Sequence, residues 1–401
     1  MNPRMRGTAG ILTLCLLLSG CWSSSAVEDL DMEVAVALDS VEPHTSGEGQ
    51  GNSATGSSQE SKLACTFQII NPTGVGGKSA KGGQGKKSDM YYNMTATTDS
   101  VFEAVRALSL RTNRQIIGHH LKVIIIGDQL AHTRKISELT DMFSRDNDIR
   151  LSTLVLISKG QAKKVLEEAP PDQIPAFLVD NIFKNRKRNI RIWKPLNIAK
   201  ISGYLHSNTS FLLQNVIPLG KEPLFSGTGV IKGETGKLIG YLSPQELEGV
   251  NWLTGNGKGG VLKAYDPDNH SLLTYEIKSM ESKLIPKMTN GKLSYLVKIN
   301  STGRVTEAFT PHGLVLSDSL LSKYNHMLEK RVEFLVTESV DKLQHNLRAD
   351  PVGFGKSLHI HHPAEWKKVK DHWEETFSQI PITYEIKILI EEYGASGTTT
   401  D

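Results

Sequence analysis

The sequence predicts an α+β protein, multi-domain and mixed α/β, with largely antiparallel sheets and a long amphipathic helix in the C-terminal domain. Three observations predict this class. Between Asp99 and Glu168, short apolar runs alternate with stretches of helical periodicity. From Phe225 to Ile299, strand-like patterns follow one another across turns. Beyond Leu321 an apolar stripe at helical spacing precedes a strand in which isoleucines occupy alternate positions. A chain of 401 residues has length for two or three domains.

At the N-terminus, Arg4 and Arg6 precede the apolar run Ile11 to Leu18 and the sequence Leu18-Ser19-Gly20-Cys21. Residues 1–20 therefore read as a secretory signal peptide. The apolar run is too short to span a bilayer, which takes roughly 20 residues. A small residue before a cysteine, with leucine three positions upstream of that cysteine, looks like a lipoprotein-processing box. Cys21 would become the first residue and carry acyl chains, each buried methylene contributing about 0.8 kcal/mol to membrane attachment. Of three cysteines, Cys15 leaves with the signal and Cys21 is acylated, so Cys65 has no partner for an intramolecular disulfide. In the strand-like run Leu63 to Ile70 it reads as a buried small hydrophobe. Formal charge is +3 and falls closer to zero once Arg4 and Arg6 are removed, which gives no reason to expect nucleic acid as a partner.

Val34 to Leu38 is a short strand. Residues 39–62 and 74–87, rich in Ser and Gly, lack the apolar surface to fold and are expected to be flexible. Between and beyond them, Leu63 to Ile70 and Met90 to Thr95 predict a hairpin with a long loop. Gly77-Lys78-Ser79 resembles the end of a phosphate-binding loop, but Pro72 stands where the first glycine belongs. Asp99 or Ser100 caps a helix whose Val101, Phe102, Val105 and Leu108 share one side. A buried strand at Lys122 to Ile126, a helix from about Gln129 to Phe143, a strand at Leu151 to Ile157 and a short helix at Gln161 to Glu168 follow. Lys184-Asn-Arg-Lys-Arg188 with Arg191 is the densest basic cluster, either a solvated loop or a contact for anionic headgroups.

A change of texture at Gln214 to Glu222 marks the domain boundary, giving an N-terminal domain at 21–213, a C-terminal domain at 214–394 and a flexible tail at 395–401. Phe225 to Lys232 and Gly236 to Ser243 are paired strands, and Pro244 opens a helix. Strands are expected at Leu272 to Ile277 and Leu293 to Ile299. Leu321, Tyr324, Leu328, Val332, Leu335, Val340, Leu343 and Leu347 form the buried stripe of the long helix. Trp366, Val369, Trp373 and Phe377 are spaced as one side of a helix covering the strand Ile382 to Ile390.

The order of several motifs resembles the C subunits of spore germination receptors, the Ger(x)C or GerAC-like lipoproteins. These are Cys21-Trp22, Gly118-His119-His120 running into Val123 to Ile126, Arg145-Asp146 with Asp148-Ile-Arg150, Ser226-Gly-Thr-Gly with Gly240-Tyr241-Leu242, and Asp350-Pro-Val-Gly-Phe-Gly355 followed by Trp366 and Trp373. The resemblance spans nearly all of the mature chain. It implies a non-enzymatic, lipid-anchored subunit at the outer face of the spore inner membrane, with integral-membrane A and B subunits as partners and no cofactor. Gly74 to Lys87 and Pro351-Val352 depart from the family pattern. Gly353, Phe354 and Gly355 are the candidate partner contacts, since paired glycines permit unusual backbone around an aromatic; a structural turn after the long helix is the other reading of the same residues.

No catalytic site can be named. His359, His361 and His362 with Glu365 are zinc-ligand types, and His359 and His361 would share a face in an extended chain, but no His-Glu-x-x-His motif is present. No Gly-x-Ser-x-Gly elbow occurs. Glu333 and Glu338 read as the solvated side of the long helix. A lipid-anchored solute-binding protein and an exported hydrolase are the alternative classes.

Overall fold

A computed structural model describes residues 30–41, 62–71, 90–308 and 317–392. Cys21, residues 74–87, the tail and most of 39–62 lie outside the described residues.

The first half builds β1 (Leu30–Ser40), β2 (Leu63–Ile70), β3 (Tyr91–Thr98), α1 (Val101–Leu108), β4 (Gln115–Ile117), β5 (Val123–Gly127), α2 (Asp128–Thr133), α3 (Ile136–Arg145), β6 (Leu154–Ser158), α4 (Lys163–Glu167), α5 (Pro175–Ile182) and α6 (Ile198–His206). With β7 (Phe211–Leu219), β8 (Glu222–Ile231) and β9 (Leu238–Leu242) the strands form one sheet, ordered β3-β2-β1-β5-β6-β7-β8-β9, with β4 also on β1. The flanks of this sheet are antiparallel and its centre, β1-β5-β6-β7, is parallel. The central strands are continuously apolar because both faces are covered. Val36, Leu38, Ile124 and Ile126 pack with α1, α3 and α6, while Ala35, Ala37, Val123 and Ile125 pack with α4 and α5.

The second half contains α7 (Pro244–Thr254), β10 (Gly260–Tyr265), β11 (Leu272–Thr289), β12 (Lys292–Ala308), α8 (Asp318–Asp341), α9 (Phe354–His361), α10 (Pro363–Val369), α11 (Trp373–Phe377) and β13 (Ile382–Glu392). Its sheet runs β10-β11-β12-β13, antiparallel except for the β12–β13 seam. As expected of an alternating strand, Ile388 and Ile390 of β13 are buried, and Lys387 before them and Leu389 between them are exposed. The long helix forms as predicted and continues through a π turn at Lys342–Leu347.

Several expectations are corrected. β1 extends through Ser40 because the Asp39 carboxylate accepts from the backbone N–H groups of Ala162 and Lys163 at 2.6 and 2.9 Å. The single helix expected over Gln129 to Phe143 is two, since Arg134 and Lys135 are extended and the Ile136 N–H is held by the Gly236 carbonyl. Phe102 is 52% exposed and carries the Arg106 guanidinium 4.8 Å over its ring. β11 and β12 run far past their apolar cores because Asn290-Gly291, both at positive φ, close a tight hairpin. The helix expected through Trp366 and Phe377 breaks into α10, a 3-10 turn at Lys370–His372 and α11. Residue 214 lies within β7, a strand of the first sheet.

Candidate functional site

The long helix ends at Arg348, whose φ of 47° turns the chain inward so that Ala349 and Asp350 are buried. The Asp350 carboxylate then faces the first turn of α9. Its Oδ1 accepts from the N–H groups of Val352, Gly353 and Phe354 at 3.3, 2.8 and 3.1 Å, and its Oδ2 accepts from Gly355 N–H at 2.7 Å. Trp373 Nε1 donates to the same Oδ2 at 2.9 Å. A helix start leaves its first N–H groups without intrahelical partners, and a buried anion is a strong acceptor for them. The turn needs both of its glycines. Gly353 sits at φ 101°, and a Cβ on Gly355 would lie 2.7 Å from Trp373 Nε1.

Phe354 lies inside this knot. Its ring is 0% exposed, edge-on to Tyr295 at 4.9 Å between centroids and tilted against Phe377 at 5.2 Å. Its carbonyl accepts from the Tyr295 hydroxyl at 2.7 Å. The side chain expected from sequence to meet a partner is therefore a core residue, and the segment is a structural turn following the long helix.

The knot borders a cleft of about 1220 Å³ between α6 with the turn after β8 on one side and α9 to α11 on the other. Lys194, Tyr204, Lys232, Lys356 and Trp366 are among its walls. Ser210 ties the two sides together: its hydroxyl donates to Glu374 and accepts from Gly233 N–H at 2.9 Å. Lys232 Nζ lies 3.1 Å from the same Glu374 carboxylate and donates to the Arg348 carbonyl at 3.2 Å. The sequence carries no signal for this strap, whose members are far apart in the chain. Asp350 was readable in principle, as an aspartate three residues before the Gly-Phe-Gly that opens a helix.

The histidines do not converge. α9 is helical, so His359 and His361 leave it on different sides. His359 stacks on Trp366 with centroids 5.7 Å apart, and His361 Nδ1 lies 2.9 Å from the Ser357 carbonyl. Among the described residues no group of three or more His, Cys, Asp or Glu is placed to hold a metal ion. In the basic cluster, Arg186 donates to the Asn256 carbonyl at 2.9 Å and Arg191 Nε to Glu248 at 2.9 Å, while Lys187 and Arg188 are exposed. Glu333 pairs with Lys330. Cys65 is buried, and burial reinforced by the Glu33 and Asp39 charges pushes its thiol up to about 12. It is not a nucleophile at neutral pH.

The other motifs meet in pairs. A Cβ on Gly118 would lie 2.8 Å from the Ile149 side chain, and His119 Nε2 lies 3.5 Å from Asp148. Ser226-Gly-Thr-Gly and Gly240-Tyr-Leu are cross-strand partners on β8 and β9, and Gly227 at φ 73° lets the Leu242 carbonyl approach to where a Cβ would stand.

Two family profiles cover the chain, "Spore germination protein N-terminal domain" over residues 24–217 and "Spore germination B3/ GerAC like, C-terminal" over 226–394. Spore germination protein YndF of Bacillus subtilis (strain 168) is 35% identical over 400 residues, 98% of each chain. The chain belongs to the spore germination B3/GerAC-like family. Spore germination protein B3 of the same organism is 29% identical, with 96% of each chain covered. The crystal structure of the GerBC protein shares the fold of this GerAC-like chain with a TM-score of 0.61 at 28% identity, covering 82% of this chain and 94% of that one. In this family member the profiles divide between residues 217 and 226, within the β7–β8 hairpin of one hydrogen-bonded sheet.

Proposed function

We propose that this chain is the lipid-anchored C subunit of a nutrient germinant receptor of spores. Cys21, acylated after removal of residues 1–20, would hold it on the outer face of the spore inner membrane, and integral-membrane A and B subunits would be its partners. Its role in this reading is non-enzymatic: the anchored domains bind the membrane subunits and support their change of state when nutrient binds. The observation that carries the reading is the likeness along the whole chain to several spore germination proteins, among them A3, at 27% identity over 95% of this chain, besides YndF and B3.

The test is germination of spores lacking the gene, followed by loss of optical density against amino acids, sugars and nucleosides. Loss of response to one nutrient class, restored by the wild type and not by Cys21→Ala, is the expected outcome. Full restoration by Cys21→Ala, with the variant still sedimenting with membranes, would overturn the lipid anchor.

A further inference from the structure

In the proposed function the acylated Cys21 stands nine residues before Leu30, where β1 begins. A chain of that length spans at most about 32 Å when fully extended. β1, β5, β6 and β7 run in one direction, so the first sheet has one pole where these strands start and another where they end. Exposed leucines stand at both. Leu219, 60% exposed, ends β7 at the far pole. Through β5 and β6, Leu38 of β1 lies level with Asn215 of β7, so Leu30 is eight residues below that level and Leu219 four above it. At about 3.3 Å per residue the two are separated by roughly 40 Å along the strands. A bilayer meeting the far pole end-on would lie beyond the tether, whereas the starting pole is within its reach.

Apolar side chains surround Leu30 at that pole. Leu110, at 88%, is the most exposed large hydrophobic residue among the described residues. It follows α1, and Thr112 two residues on donates its hydroxyl to Asp31 Oδ2 at 2.7 Å. Tyr92, 36% exposed, hydrogen-bonds the same aspartate. On the other flank β4 pairs with Leu30 to Met32 and runs into Gly118, against which Ile149 packs. Leu151, 49% exposed, stands two residues beyond Ile149. Acids and bases are interspersed among them: Arg114 lies 3.8 Å from Asp31, Arg145 2.8 Å from Asp141 and His119 3.5 Å from Asp148, with Asp146, Arg111, Lys122 and Arg150 in the same loops. No single-sign field therefore selects anionic lipid, and the attraction left is burial of the leucines. Leucine beside tyrosine and wet charged groups suits the boundary between headgroups and acyl chains.

We infer that the starting pole of the first sheet rests on the bilayer, with Leu110 and Leu151 inserted at the headgroup boundary and Tyr92 beside them. The inference rests on the lipid anchor proposed above.

The acylated full-length chain, reconstituted in phosphatidylcholine vesicles brominated near the glycerol end of the acyl chains, tests it. Cys65 is buried, so an introduced surface cysteine is the one that takes a thiol-reactive fluorophore. Labels on Leu110→Cys and Leu151→Cys should lose most of their emission to the bromines, while a label on Leu219→Cys keeps its emission. Equal quenching at all three positions, or quenching at none while the chain floats with the vesicles, would overturn the contact face and leave the anchor standing. In the second case the leucines would be free for a protein partner instead. A chain that does not float with the vesicles would overturn the anchor and the face together.

Discussion

Asp350 concentrates five donors on one buried carboxylate at 5% exposure, so its replacement strands polar groups in the core as well as removing an anion. Asp350→Asn, which puts an NH₂ where an acceptor was, should lower unfolding free energy by about 3 kcal/mol in urea titration. Phe354→Ala, which empties the space between Tyr295 and Phe377, should cost about 3–5 kcal/mol in the same measurement. A loss below about 1 kcal/mol would mean that the ring is not the core element its burial indicates. Glu33 on β1 is a different kind of residue, 4% exposed and set among the apolar residues of the central strands. Burial, assisted by the negative charge of Asp146, raises its pKa from 4.5 to about 8. A carboxyl whose folded-state pKa is raised favours the fold fully below its unfolded value, and this contribution is lost as pH rises from about 4.5 through about 8. Stability should therefore fall across that window by on the order of 5 kcal/mol, and Glu33→Gln should flatten the fall. Parallel pH profiles for wild type and variant would remove Glu33 as its source.

Two helical glycines make opposite predictions because of what stands beside them. A Cβ on Gly249 of α7 would lie 2.1 Å from the Leu335 carbonyl oxygen and 2.1 Å from Ser339 Oγ on α8, so the glycine sets how closely these helices approach. Gly249→Ala should cost about 2 kcal/mol or more by forcing them apart. Gly203 of α6 has nothing within 4 Å of the place a Cβ would occupy, and Gly203→Ala should gain about 1 kcal/mol from helix propensity alone. Thermal midpoints moving in opposite directions check both. What the sequence disclosed follows the same division between local and distant causes. α7 was legible at its start, where Ser243 and Glu246 make a capping box around Pro244 at the first helical position, but the need for Gly249 was not, since it comes from a helix some ninety residues later. The hairpin β2–β3 and the long helix were legible from period alone. The break at Arg134 and Lys135 was not, because a carbonyl at Gly236 creates it, and the full length of β11 and β12 was missed because their outer halves are polar and only Asn290-Gly291 announces the turn. In the candidate site, the Gly353 to Gly355 turn was marked by its glycines while the buried position of Phe354 was not.

At the scale of the molecule, β7 to β9 form a wall between two cores. Phe211, Leu213, Ile231 and Leu238 point into the core beneath α1, α3 and α6, whereas Leu212, Val230 and Leu242 point into the core shared by α7, α8 and the second sheet. This alternation is the ordinary period of a strand, but both of its faces are buried, so the wall serves both cores at once. The two halves should then lose structure together. Far-ultraviolet circular dichroism reports both halves. A probe confined to the second core, the environment of Trp252, should give the same urea midpoint. A chain truncated after Ile217 keeps most of β7 but loses β8 and β9, leaving Leu212 without its core and the backbone of β7 without its antiparallel neighbour. Such a fragment should lack a cooperative transition and bind a dye for exposed apolar surface, while the intact chain does neither. Two separated transitions in the intact chain, or a truncated fragment that unfolds cooperatively, would mean that the N-terminal half folds without this wall and that the two halves are independent units.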